Sequence, residues 1–218
     1  MNKTNSEMAD NYLGKKMEDH ARSSTVVRKH TFSLERLLRR NRSHRAYDNS
    51  FTVREDQLRS IIEVNMLTPS ARNQQVLRFR PVLKGEAVKV LPHIRLGAAL
   101  PQLHLPREGE QPNAYIVVCT TVQPDKYVYT DLGISVQSML LRAVEIGLNG
   151  ICIGAFDAEA VKRELKLEME PLLIVAIGRG ADRIELQPIR EGEQRRYYRN
   201  AQGVHFVPKV VADDLIIK

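Results

Sequence analysis

The stretch DLGISVQSMLLRAVEIGL, Asp131–Leu148, decides the fold. Its apolar residues, Leu132, Ile134, Val136, Met139, Leu140, Leu141, Ala143, Val144 and Ile146, nearly encircle a helix. A helix apolar on almost all sides sits at the middle of a fold or in a subunit interface. The elements around it must therefore be layers that cover it. Downstream, Gly150–Ile153 reads as a short strand, Asp157 as the cap of a helix through Leu165, and Leu172–Ile177 as a second central strand. Upstream, Tyr115–Thr120 is a strand apolar enough to be buried on both faces.

Further out the signals are local. Ser33 is placed to cap a helix through about Arg40, with Leu34, Leu37 and Leu38 on one face. Thr52 and Glu55 have capping-box spacing, followed on a helical face by Leu58, Ile61, Ile62 and Met66, with Pro69 ending the helix. Arg78–Leu83 and Val88–Leu91, joined through Lys84–Gly85–Glu86, read as a hairpin. Pro92–Pro112 contains four prolines and reads as an excursion without regular structure. From Arg195 the chain reads as extended, with a turn at Asn200–Gly203. The layout is α+β: a mixed central sheet flanked by helices, with one helix buried near the centre. One domain is expected over residues 31–218, preceded by a polar, basic arm at 1–30.

Composition narrows the classes. A chain of 218 residues, 43% hydrophobic and 27% charged, suits one globular core. No run nears the roughly 18 apolar residues of a membrane span, and the amino terminus lacks the apolar centre of a secretory signal. Cys119 and Cys152 are too few and too far apart for a disulfide framework or zinc site, so a reducing cytoplasm is expected and no metal. The net charge is +7, but residues 1–45 carry +6 of it with eleven Lys or Arg. The body is near neutral, and the basic run has no interleaved aromatic before Tyr47, which argues against a nucleic-acid partner. A membrane partner is not expected either.

Two polar stretches carry chemistry. RRNRSHRAYD, Arg39–Asp48, brings two guanidiniums near one hydroxyl. In extended chain Ser43 and Arg45 share a face while Arg42 leans opposite. Forked cations beside a hydroxyl suit a phosphate, because Arg binds its oxygens bidentately; a solvated basic run is the other reading. TPSARNQQ, Thr68–Gln75, is rich in amides at a helix end. It either serves a polar ligand or bonds its own backbone. No glycine-rich turn links a strand to a helix, and GRG at Gly178–Gly180 opens no helix, so a dinucleotide or P-loop site is not expected.

Taken in order, RSHRAY (42–47), PSARNQQ (69–75), DLGISVQSMLLRA (131–143) and GLNGICIGAF (147–156) resemble the nitroreductase family of FMN-dependent oxidoreductases. The tail YYRNAQGVHFVPK (197–209) is similar to one branch of it, and the resemblance spans about residues 33–217. It implies a nitroreductase-like fold, a homodimer, and two FMN sites at the subunit interface built from both chains. It further implies that Arg42, Ser43 and Arg45 hold the FMN phosphate, with Lys209 as a third cation. Pro69, Ser70 and Asn73, with Gln75, would reach across the interface to the flavin. Cys152, Ile153, Gly154 and Ala155 would meet its ring, the Gly154 N–H as donor.

The sequence also departs from the family. Asn41 stands where a second arginine is frequent, Lys209 is followed by Val210 and Val211 rather than a second cation, and Leu77 lies where an aromatic residue often stands. The implied activity is reduction of nitroaromatics, quinones or a related small acceptor by NADH or NADPH, in ping-pong order. The same fold could instead bind flavin without nicotinamide turnover, for storage or reductive dehalogenation. No side-chain acid or base stands out. His44, His93, His104 and His205 read as surface or loop histidines and Cys152 as a small buried residue. Tyr197 and Tyr198 would line the acceptor pocket or pack at a dimer surface.

Overall fold

The computed structural model describes residues 33–97, 103 and 105–217. The arm expected at 1–30, His104 and part of the 92–112 excursion lie outside the described residues. Four strands form the central sheet: β1 (Leu77–Val82), β2 (Ala114–Thr120), β3 (Asn149–Ile153) and β4 (Glu170–Gly178), ordered β1-β2-β4-β3 with antiparallel neighbours. A parallel bridge between Ser43 and Gly150 extends it past β3. A second sheet, β5 (Ile184–Ile189), β6 (Tyr198–Arg199) and β7 (His205–Val210), is ordered β5-β7-β6, with β5 and β7 parallel.

Every residue of β2 is buried because helices cover both faces of the sheet. Side chains alternate along a strand. Ala114, Ile116 and Val118 meet Leu58 and Ile61 of α2 (Glu55–Glu63) and Leu132, Val136 and Met139 of α4 (Lys126–Glu145). On the other face Tyr115, Val117 and Cys119 pack with Val161 and Leu165 at α5 (Ala158–Glu164). Asp157 caps α5 as expected, its Oδ1 accepting the Ala160 N–H at 2.9 Å.

The central helix starts earlier than its apolar pattern. Asp125 Oδ1 accepts the Tyr127 and Val128 N–H groups, each at 2.9 Å, and fixes the first turn. Only Val128 is buried before Asp131, so periodicity gave no sign of that turn. In α2 the cap is Arg54 rather than Thr52: Gln57 Oε1 accepts the Arg54 N–H at 3.0 Å. That helix ends at Glu63 and tightens into a 3₁₀ turn, Val64–Leu67, which leaves Met66 84% exposed instead of on a buried face.

The expected hairpin is half present. β1 forms but pairs with β2, while Lys84–Ala87 is a helical turn, α3, held by Glu86 accepting Arg80 Nη2 at 2.8 Å. Val88 is exposed. Helix α1 (Leu34–Arg40) buries no residue; Leu34 and Leu38 are exposed. A last short helix, α6, spans Ala212–Leu215. No described helix is long and apolar enough to cross a membrane.

Candidate functional site

The 41–48 segment lies along the outer edge of β3. His44 N–H donates to Gly150 O at 3.3 Å, and Gly150 is required there: a Cβ would stand 2.6 Å from Ala176 O and 2.7 Å from Leu140 Cδ2. The segment continues past β4, where Tyr47 bridges Gly180 and the Asp48 N–H donates to Arg179 O at 2.9 Å. This explains GRG. A Cβ on Gly178 would fall 2.6 Å from Tyr47 Cδ1, and one on Gly180 2.3 Å from His44 Nδ1. The two glycines let the segment close on the sheet.

Asp182 fastens it. Its carboxylate accepts the N–H groups of Arg45 (2.5 Å) and Ala46 (2.9 Å) and a guanidinium N–H of Arg199. Asp182 is 3% exposed and Arg199 14% at the side chain, so the pair is buried. No local pattern marks Asp182 in the sequence, because its partners come from segments far apart in the chain.

Between this segment and the second sheet is a cavity of about 200 Å³. Arg42, Ser43, Arg45 and Lys209 all line it, together with Asn41, Tyr197 and His205. The strand alternation expected for Arg42 does not hold, because the segment makes isolated bridges rather than a regular strand. Arg42 donates from Nε to Asn41 O (2.6 Å) and from Nη2 to Leu38 O (3.0 Å), which fixes its guanidinium over the end of α1. Burial pulls its pKa below the ordinary arginine value. Arg45 donates from Nη1 to Ser43 O at 3.2 Å and stacks over the Tyr197 ring at 5.0 Å, while its Nε is buried without a partner. Three cations, a hydroxyl and an unpartnered buried N–H make a receptor for a dianion.

The other expected residues are placed elsewhere. Cys152, Gly154 and Ala155 form an exposed strip at the end of β3, with Ile153 turned into the core. Gly154 lies four residues beyond Gly150, about 13 Å at strand rise. The expectation that Cys152 is buried fails: it is exposed on β3, between the buried Ile151 and Ile153. Pro69, Ser70 and Gln75 line a separate cavity of about 310 Å³ with Asp131 and Ser135; Asn73 lines neither.

Loop 68–75 is strained and firmly held. Arg72, Asn73 and Gln75 have φ of 54°, 53° and 48°, a region costly for residues with a Cβ. The buried Asp131 carboxylate accepts the Ala71 N–H at 2.9 and 3.1 Å, and Ser70 Oγ accepts the Gln75 N–H at 3.1 Å. Asn73 Oδ1 accepts Gln75 Nε2 at 3.0 Å rather than capping its own backbone, and both amides are exposed.

Two histidines expected at the surface are buried, His44 at 7% and His205 at 3% exposure, His44 packing against Gly180 beside Asp182 and His205 under the Tyr197 ring. Burial lowers both pKa values, His205 to about 4 with help from Arg45 and Arg199. His93 is half-buried. Tyr197 packs in the cavity against His205 at 5.0 Å, and Tyr198 stacks on Phe206 at 5.2 Å.

The profile of the nitroreductase family matches residues 38–179. The chain belongs to the nitroreductase family. It is 26% identical over 136 residues, 60% of its own length and 72% of the relative's, to a protein of Archaeoglobus fulgidus named "Putative NADH dehydrogenase/NAD(P)H nitroreductase". Among solved structures, a nitroreductase family protein of Streptococcus pneumoniae aligns with a TM-score of 0.58 at 16% identity, over 70% of this chain and 93% of that one. A Desulfovibrio desulfuricans protein solved in complex with FMN gives 0.57 at 22%, over 70% and 89%. The nitroreductase match contains Arg42, Ser43, Arg45 and the 68–75 and 152–155 segments, whereas Tyr197, His205 and Lys209 lie beyond it.

Proposed function

We propose that this nitroreductase-family chain is an FMN-dependent oxidoreductase that uses NADH or NADPH to reduce a small electron-poor acceptor such as a nitroaromatic or quinone. One observation carries the reading: Arg42, Ser43, Arg45 and Lys209 converge on a single cavity beside β3, with Arg45 Nε buried and unpartnered. Family membership and relatives solved with FMN or named for NAD(P)H support it. When bound, FMN supplies the hydride and electron transfer, so the protein contributes position and electrostatics.

In this reading Arg42, Arg45 and Lys209 neutralise the phosphate and Ser43 adds a hydrogen bond. The exposed strip Cys152–Ala155 supports the flat ring, with the Gly154 N–H available to a ring nitrogen. Pro69, Ser70, Asn73 and Gln75 serve the site of a second subunit. The exposed Met66 and Leu67 beside that loop and the exposed Ile134 on α4 support such a homodimer. Reductant and acceptor use the same open face in turn, which gives ping-pong kinetics. Residues 31–218 form the flavin domain, residues 1–30 a polar, basic arm, and the protein acts in the cytoplasm.

An anaerobic titration tests the reading. The purified protein, reconstituted with FMN, should be yellow, bleach on addition of NADPH or NADH, and regain colour with a quinone. A yellow protein that neither reductant bleaches would be a flavin binder without nicotinamide turnover. A protein that takes up no FMN would overturn the assignment.

A further inference from the structure

The family match ends at residue 179, yet Tyr197, His205 and Lys209 form one wall of the cavity beside β3. Alternate residues of β7 share a face, and His205, Val207 and Lys209 are the three that line the cavity. His205 is 3% exposed and its Nδ1 is buried with no hydrogen-bond partner. Tyr197 packs its ring against the imidazole, and Arg45 covers the Tyr197 ring. Buried polar side-chain atoms are mostly paired in folded proteins, so an unpaired ring nitrogen on a residue that lines a cationic cavity points to a partner supplied by what the cavity binds. The charged and titratable groups facing His205 are Arg45 from the 41–48 segment, Arg199 from β6, Asp182 from the loop before β5, and Tyr197. Burial and the two arginines outweigh Asp182 and hold the imidazole neutral at pH 7, with one N–H to donate.

We propose that His205 is a binding residue for the phosphate group of the flavin, its imidazole donating a ring N–H to a phosphate oxygen, so that it selects FMN over unphosphorylated riboflavin. The proposal rests on the flavin reading above. Lys209, on the same face of β7, brings the charge, and His205 brings a directed donor on a short, rigid side chain. Arg45 and Arg199 flank the ring, so the free site disfavours the imidazolium. A bound phosphate dianion reverses that field, and its arrival raises the His205 pKa.

The test compares FMN with riboflavin, which shares the ring and ribityl chain and lacks the phosphate. Apoprotein is titrated with each by quenching of flavin fluorescence, for wild type, His205→Phe, His205→Asn and Arg45→Ala. His205→Phe should weaken FMN about tenfold, the scale of one charge-assisted hydrogen bond, and leave riboflavin unchanged. His205→Asn, which keeps a donor, should recover part of the loss. Equal loss of both flavins in a folded variant would assign His205 a structural role and overturn the proposal, as would full retention of FMN. A second measurement uses wild-type protein alone: the imidazole pKa of His205, followed by NMR on 15N-histidine protein, should rise with FMN and stay put with riboflavin. No rise with FMN also overturns it. If Arg45→Ala loses the preference for FMN while His205→Phe keeps it, only the His205 proposal fails. If wild type shows no preference for FMN, the phosphate site itself fails with it.

Discussion

The Asp182 carboxylate accepts the Ala46 N–H at 2.9 Å, and with it a residue beyond the family match sets the course of the segment that carries Arg42, Ser43 and Arg45. The same carboxylate takes the Arg45 N–H and pairs with the buried Arg199. Asp182→Ala strands a guanidinium in a buried setting and two backbone donors beside it. Loss of one partner of a buried pair costs about 3–5 kcal/mol. Urea unfolding should show a loss of that order, and Asp182→Ala combined with Arg199→Leu should be less destabilised than Asp182→Ala alone. A change under about 0.5 kcal/mol for the single variant would mean that the pair contributes nothing to holding the segment.

Gly180 gives a steric counterpart. A Cβ there meets the His44 ring at 2.3 to 2.6 Å, and that ring is buried with little room to retreat. Overpacking of this kind costs about 1–3 kcal/mol. Gly180→Ala should therefore lower stability by about 2 kcal/mol and weaken FMN, because the displaced segment is the one that bears the arginines. Gly85→Ala in α3, with nothing within 4 Å of its Cβ, should be neutral or slightly stabilising in the same urea assay.

Acid should act through the buried histidines. His205 has a folded-state pKa near 4, against an ordinary value of 6.5, and His44 is shifted the same way. The unfolded chain then binds protons that the folded one refuses. Stability is full above pH 6.5 and is lost as pH falls from 6.5 through about 4, at up to about 1.4 kcal/mol per pH unit for one proton. Urea midpoints of wild type and His205→Phe should diverge across that window, the variant falling less. Parallel curves would show that His205 is not held neutral.

How far the sequence could be read depends on whether the signal was local. The strand at 115–120 and the cap at Asp157 follow from apolar runs and one capping residue, and both stand where expected. The Asn200–Gly203 turn also stands, with Asn200 Oδ1 accepting the Val204 N–H at 2.9 Å. β5 leaves no local mark in the sequence because four of its six residues are exposed and its parallel partner β7 lies well downstream. Val88–Leu91 misled because its apolar residues serve a helical turn, with Ala87 and Val90 buried. Arg42, Ser43, Arg45 and Lys209 stand in the motifs that resemble the family, and they meet in one cavity. Asp182 carries no such signature, and the tail that contains Tyr197 and His205 resembles a family branch without marking either for this cavity: an aspartate in a loop and a histidine in a polar tail acquire their settings only when the second sheet packs beside the segment.

The last prediction concerns Asn73. Within one chain it lines neither cavity, and its amide is exposed beside the similarly exposed Gln75 on a strained, well-anchored loop. Holding three residues at positive φ to present amides to solvent is costly, and the cost makes sense if the loop is shaped for a surface of a second subunit. Each flavin site would then need Arg45 from one chain and Asn73 from the other. Arg45→Ala and Asn73→Ala homodimers should each lose flavin at both sites. In a heterodimer of the two, one site carries both defects and the other carries neither. After verified subunit exchange, flavin content and NAD(P)H oxidation should return to about half of wild type per heterodimer, provided the sites act independently. If Asn73 serves its own chain's flavin, every site in the mixture keeps one defect and no colour returns, and the loop would have to be placed at the site of its own subunit.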